Sequence, residues 1–411
     1  MILKFKKLFS YLFLLIPLFL ITGPAVPDIV ITFGSLFGIV YIIYLKEYEI
    51  LLKVNFNKLS IIFWFSLIFV SFFSYNKINS FQDSIIFIRF LLIPIFCYYI
   101  FIKDIKILQR SLIFIFILVV LVCIDTFYQF LNYTSENGFG SDLLGFESNW
   151  YGRLTGPFGD ELIPGSYLSK FGLLGFAFLV SIKKYEKKIF FHSIYLSLIL
   201  YISYISGERM AFATFGLGLF FLFIFLDGFR KSIFLSITIG VLLIFMTTYL
   251  HPFYNDYKVV ESTQYHQGQK IEKFFKCNDE TEEICTKIVD VQPSFLKIIR
   301  NFDSSAYGEI YLLSYKMFLQ NKITGIGISN FKFLCNFKDD YNKMMINYEC
   351  ASHPHNIYIQ WLVEGGLTVF ILFILYLFFL INFIINNTGE KKYKIISIAV
   401  ILVLFWPIMS T

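Results

Sequence analysis

The run Ser111-Leu-Ile-Phe-Ile-Phe-Ile-Leu-Val-Val-Leu-Val-Cys-Ile124 contains no charge, no proline and no glycine. It is the centre of an apolar segment at about 108–131. An α-helix rises about 1.5 Å per residue, so about 20 such residues cross a hydrocarbon core about 30 Å thick. Ten further segments have the same character, near 8–22, 28–45, 59–74, 84–102, 162–182, 189–206, 210–227, 231–250, 356–384 and 395–411. The segment at 59–74 is short. The one at 356–384 is long enough to tilt or to extend past the membrane. The reading is an all-α polytopic membrane protein with about 11 transmembrane helices.

Composition leads to the same class. The 411 residues are 57% hydrophobic, 20% aromatic and only 16% charged, against about 25% charged in a soluble domain. A soluble enzyme and a disordered chain are both excluded. The alternating strands of an outer-membrane barrel are missing. The net charge of +6 is spread without a basic stripe, so nucleic acid is not an expected partner.

Basic residues in short loops orient the spans. Lys4, Lys6 and Lys7, then Lys46, Lys53 and Lys58, Lys103, Lys106 and Arg110, Lys183, Lys184, Lys187 and Lys188, Arg230 and Lys231, and Lys391, Lys392 and Lys394 fall on one side. Only Lys77, Arg153 and Arg209 fall in the short loops opposite. The N-terminus is therefore expected in the cytoplasm. The first span also admits a reading as a signal peptide, although Pro24 and Pro27 make a poor cleavage context. The expected organisation is helices 1–9 within 1–250, including an outer loop at about 132–161. A large outer loop follows at 251–355, and the last two helices occupy 356–411.

Four cysteines, Cys277, Cys285, Cys335 and Cys350, lie in the large outer loop, whereas Cys97 and Cys123 lie in spans. Four cysteines in one exported loop point to two disulfides in an oxidising compartment, a bacterial periplasm bounded by the inner membrane. Three pairings are open, with the sequence neighbours preferred. A zinc site on Cys350, His353 and His355 is the rival reading, and it lacks a CxxC or HExxH pattern.

The most informative polar stretch is Cys350-Ala-Ser-His353-Pro-His355-Asn356-Ile-Tyr358-Ile-Gln360-Trp361-Leu-Val-Glu364-Gly365-Gly366-Leu-Thr368. Pro354 places a helix start near His355, and Asn356 suits its N-terminus. An imidazole presented at the outer membrane surface can accept a hydroxyl proton; the plainer reading has His355 as a cap and His353 as a loop residue. Arg209, in Ser206-Gly207-Glu208-Arg209-Met210, sits on the side that disfavours cations. It is read either as an anion ligand or as the partner of Glu208. Arg89 falls inside the segment 84–102, where a cation needs a polar cavity or an acid such as Asp28 or Asp125. Arg153 opens the constrained loop Arg153-Leu-Thr-Gly-Pro-Phe-Gly-Asp-Glu-Leu-Ile-Pro-Gly165. Three arginines near one face suit a polyanion at the lipid boundary, such as a polyprenyl diphosphate; attraction to lipid head groups is the bland alternative. No Walker loop, dinucleotide turn or Asp-x-Asp clamp is present, so arginine rather than metal would hold a diphosphate, and no cofactor is expected.

Taken in order, these residues resemble the O-antigen ligase and polymerase superfamily of bacterial inner-membrane glycosyltransferases. The resemblance runs from Thr22–Asp28 through Ser84–Phe90, Arg153–Gly165, Ser206–Arg209 and Asn321–Phe331 to His353–Gly366. It implies a polytopic bundle of the membrane glycosyltransferase type with a large periplasmic loop. It also implies metal-free transfer of a glycan from undecaprenyl diphosphate to an acceptor hydroxyl, lipid A–core for a ligase. By position His355 would be the base, Arg209, Arg89 and Arg153 would hold the diphosphate, and His353 and Asn356 would be substrate-binding residues. Many members have arginine in the segment matching Ser305–Glu309, where this chain has Tyr307; either Arg300 substitutes, or this branch uses different contacts. Relatives usually have one more span, so the end at Thr411 is expected to be a truncation. A polymerase or a protein O-oligosaccharyltransferase shares the donor and differs in acceptor. A transporter or flippase would show internal repeats and paired broken helices with ionisable residues at mid-membrane; no such repeat is seen, and the charges gather at the outer face.

Overall fold

The computed structural model describes residues 2–46, 49, 55–134, 138–148, 153–182, 188–255, 257–263, 265–266, 269–270, 284–290, 300, 302, 305–345, 349–387 and 389–407. Helices occupy most of them. In chain order they are α1 Ile2–Phe19, α2 Ala25–Tyr44, α3 Asn55–Ser71, α4 Lys77–Ile86, α5 Ile88–Lys103, α6 Ile105–Leu131, α7 Pro164–Ser181, α8 Ile189–Ile205, α9 Arg209–Phe225 and α10 Arg230–Leu250. After the large loop come α11 Ala306–Gln320, α12 Phe331–Phe337, α13 Asp339–Asn342, α14 Ile357–Asn387 and α15 Lys391–Leu404. Among the described residues, five helical stretches are long and apolar enough to cross a membrane: Ala25–Tyr44, Lys77–Tyr99, Ile105–Leu131, Asp227–Leu250 and Ile357–Asn387. Shorter apolar helices cover Lys7–Phe19, Asn55–Ser71, Ile189–Ile205 and Arg209–Phe225. The chain is a polytopic helical membrane protein.

The structure corrects three details of the sequence reading. The segment expected at 84–102 starts earlier, at Lys77, and is interrupted at Phe87, so Arg89 stands near the head of α5. Asn76 supplies the start: its side chain accepts the Asn79 N–H, the ordinary N-cap bond. The segment at 356–384 is broken, because Gly366 has φ 64° and ψ −169°. The large loop also contains strands. β1 Tyr257–Thr263 pairs antiparallel with β4 Ile284–Asp290, and β2 Tyr265–His266 pairs with β3 Gln269–Lys270.

The chain groups into two compact units interleaved in sequence. The first comprises Met1–Asn57, Arg89–Tyr254 and Phe379–Trp406; the second comprises Lys58–Ile88, Asn255–Phe378 and Pro407–Thr411. In the first unit α6 packs on α7, α7 on α8, α8 on α10, and α15 on α9. α1 joins an aromatic cluster in which Phe13 meets Val30, Tyr41, Phe96 and Tyr99. The apolar residues left exposed, such as Phe234, Phe245 and Tyr249 on α10, suit a helix facing lipid.

In the second unit α3 and α4 are joined by hydroxyl groups. Ser71 Oγ lies 2.8 Å from Ser84 Oγ and accepts from Ser80 Oγ at 2.9 Å, while Trp64 Nε1 donates to the Ser84 carbonyl at 2.9 Å. Residues 321–331 lie along the break in α14. Ile326 N donates to Val363 O (2.9 Å), Gly327 N to Glu364 O (3.0 Å), Leu367 N to Lys322 O (2.9 Å) and Thr368 N to Ile323 O (3.2 Å). These bonds take up the backbone groups that a helix break leaves open, a need that is acute where water is absent. Below the loop a core of Ile310, Leu313, Met317, Phe331, Leu334 and Val363 is buried.

Candidate active site

The His353–Asn356 segment is fixed at both ends. On its N-terminal side Cys350 forms a disulfide with Cys335, 15 residues away, with Cα atoms 6.0 Å apart. Both sulfurs sit in the buried core around α11 and α12. On the other side Asn356 is 2% exposed, and its Oδ1 accepts from Tyr358 N at 3.0 Å and Ile359 N at 3.1 Å. Asn356, not His355, therefore caps α14. Its Nδ2 donates to the Pro407 carbonyl at 2.7 Å, and the Tyr311 side chain bonds to it.

Between these anchors His355 adopts φ +55°, a left-handed conformation that is strained for a residue with a Cβ. Its half-buried ring stands edge-on to Tyr307 at 5.8 Å and lies 4.4 Å from the His353 ring. His353 Nδ1 lies 2.8 Å from Ser352 Oγ. Strain of this kind persists only where the surroundings impose it, and it concentrates at working sites. Tyr307, noted in the sequence for standing where an arginine was expected, is thus a wall of the imidazole site. Arg300 is exposed.

The disulfide settles part of the cysteine question. Cys335–Cys350 is one of the two preferred pairs, and it removes Cys350 as a thiolate ligand for zinc. Among the described residues no group of three or more His, Cys, Asp or Glu is placed to hold a metal ion. Cys277 lies outside the described residues, and for Cys285 only the backbone is described, paired to Ser262 in the β1–β4 ladder. Replacing Cys335 and Cys350 by serine is expected to cost about 2–5 kcal/mol, the usual range for a native disulfide in a small domain. The thermal midpoint of the detergent-extracted double variant should fall well below that of the oxidised parent; an unchanged midpoint would mean that the bond holds nothing in place.

A second cluster forms in the first unit. The loop carrying Arg153 is pinned by Gln129 of α6, which is fully buried: Gln129 Oε1 accepts from Thr155 N (3.0 Å) and Gly156 N (2.8 Å), and its Nε2 donates to Thr155 Oγ1 (3.2 Å). Leu154 N donates to Ser206 O at 3.4 Å, tying this loop to the turn before Arg209. In that turn Glu208 is 8% exposed. Its carboxylate accepts from Gly165 N at 2.6 Å and Ser166 N at 3.0 Å, so it serves the N-terminus of α7. Burial pushes the Glu208 carboxyl above its ordinary range, opposed by the Ser166 and Gly165 bonds and by the Arg153 charge. Arg153 and Arg209 feel each other's charge. Arg153 Nε is buried without a hydrogen-bond partner.

Arg89 has its own pair. Its guanidinium lies 2.7 Å from Asp28 Oδ1, donates to Thr32 Oγ1 at 2.8 Å and covers the Phe90 ring at 4.8 Å. Of the two acids considered, Asp28 is the partner. Asp125 instead accepts the Leu143 N–H. Sequence reasoning missed Gln129 and the outward role of Glu208. An amide inside an apolar span was the available signal for the first, since such a group must be satisfied by protein; nothing local marked the second.

The class defined so far is a multi-helix membrane protein that presents a strained imidazole segment in one unit and a guanidinium pair in the other. Residues 194–374 match the family model described as O-antigen ligase, and the match supports membership of the O-antigen ligase superfamily. No curated protein matches the chain. The matched region takes in Glu208, Arg209, the 321–331 loop and His353–Gly366.

Proposed function

We propose that the protein is an O-antigen ligase that transfers a glycan from undecaprenyl diphosphate to a lipid A–core hydroxyl at the periplasmic face of the inner membrane. The observation that carries the reading is the match of residues 194–374 to the O-antigen ligase model, because that region holds both Arg209 and the constrained His355. In this reaction His355 takes the proton of the acceptor hydroxyl. The acceptor oxygen bonds to the anomeric carbon as the bond from that carbon to the diphosphate oxygen breaks. The electron pair leaves on the diphosphate, and Arg153 and Arg209 stabilise that charge. Arg89, bound to Asp28, is assigned a supporting part in organising α2 and α5. His353 and Asn356 orient the base.

Acceptor choice separates this reading from a polymerase or a protein O-oligosaccharyltransferase. Deletion of the gene and analysis of polyprenyl-linked intermediates tests it. Long chains stranded on the carrier are expected for a ligase. Single repeat units on the carrier would assign polymerisation instead, and an unchanged pool would remove the protein from this chemistry.

A further inference from the structure

We infer that Glu208 is a positioning residue, which sets how tightly the Arg153–Arg209 pair holds an anion. The inference rests on the proposed reading of that pair as the diphosphate site. Its starting point is an end left open. α7 begins at Pro164, which has no N–H, and its N-cap residue Ile163 makes no side-chain cap bond. The first free donors of the helix, Gly165 N and Ser166 N, need an acceptor from elsewhere. Glu208 supplies both, from 43 and 42 residues away along the chain.

Glu208 is also the residue that immediately precedes α9, where it makes no side-chain cap bond to its own helix. One buried carboxylate thus joins the N-terminal ends of two helices. Arg209 is the first residue of one helix, and the Arg153 charge acts on the same carboxylate. Lys170, one turn further into α7, also lies in its field. Two guanidiniums close together repel, and a loop free to move would separate them. The Glu208 bonds, with those of Gln129 to Thr155 and Gly156 in the Arg153 loop, oppose that separation. The contact leaves no spare room. A Cβ at Gly165 would lie 2.6 Å from Ser206 Oγ and 3.1 Å from the Glu208 side chain.

Two opposite consequences distinguish positioning from simple charge balance. If Glu208 only offsets the arginines, Glu208→Gln leaves more positive charge and tightens anion binding. If it positions them, Glu208→Gln weakens binding although the net charge becomes more favourable. Gly165→Ala displaces the carboxylate without changing any charge, and gives the same weakening. The test uses the full-length protein in detergent or nanodiscs. Its readouts are the KM for an undecaprenyl-diphosphate-linked glycan, kcat, and direct binding of inorganic diphosphate by titration calorimetry. Both variants are expected to raise KM and the diphosphate Kd about tenfold, the effect of losing one or two charge-assisted bonds, with kcat within about threefold of wild type. Unchanged or tighter diphosphate binding by Glu208→Gln overturns the inference. If that variant fails to fold, Gly165→Ala decides by the same numbers. A wild-type protein that binds diphosphate but transfers no glycan defeats the donor reading and leaves the positioning role standing, so the two failures are distinct.

Discussion

His355→Ala is expected to abolish glycan transfer while leaving the protein in the membrane at its normal level. Loss of a general base costs about 10²–10⁴-fold in rate, enough to erase a visible lipopolysaccharide ladder. The structure supplies the reason that folding survives: Asn356 makes the cap bonds of α14, and the disulfide at Cys350 holds the other end of the segment. His355→Asn is the control for backbone strain. Asparagine tolerates the left-handed region better than most residues, so this variant keeps the φ of +55° and removes the base. Both variants should be inactive. A normal ladder from either would take the chemistry away from His355.

Gly366→Ala is expected to have the largest effect on stability. At φ 64° and ψ −169° the residue occupies a region that is almost closed to residues with a Cβ. An added methyl would also collide with the Ile323 carbonyl and the Gly325 amide. These are backbone atoms and cannot rotate aside. The four backbone bonds between residues 322–327 and 363–368 would have to part. The cost is on the order of 3 kcal/mol or more, combining backbone strain with lost bonds. The expected result is a thermal midpoint lowered by many degrees, with little protein extracted in folded form. A midpoint equal to that of wild type would show that the break in α14 does not depend on this glycine.

Much of the fold was legible because bilayers impose one strong pattern. Each apolar segment read from the sequence contains a helix, and only the ends and interruptions moved. The interruption at Gly366 escaped the reading because Gly365-Gly366 inside an apolar run looks like an ordinary tolerated pair. Its meaning depends on Asn321–Asn330, about forty residues earlier, which fills the gap. The break at Phe87 was likewise invisible, since nothing in Ile85-Ile-Phe-Ile88 departs from a helical pattern. The β1–β4 pair lay in a loop read only as polar.

The candidate site divides in a similar way. Residues with intrinsic chemistry, His355, Arg153 and Arg209, could be picked out by type and by side of the membrane. The residues that hold them could not. Glu208 reads as a natural ion-pair partner for adjacent Arg209, whereas its carboxylate is engaged by Gly165 and Ser166. For Arg89 one of the two acids considered, Asp28, is the partner, because a cation near a span has few acids within reach.

The central claim is that this chain moves a glycan from a lipid diphosphate using protein groups alone. It is tested most directly with the purified protein, an undecaprenyl-diphosphate-linked glycan, lipid A–core acceptor and EDTA in one reaction. The account predicts that glycosylated acceptor forms at the same rate with and without the chelator, and that none forms with His355→Asn. Product that vanishes in EDTA and returns with added magnesium or zinc, or equal product from the His355→Asn variant, would contradict it.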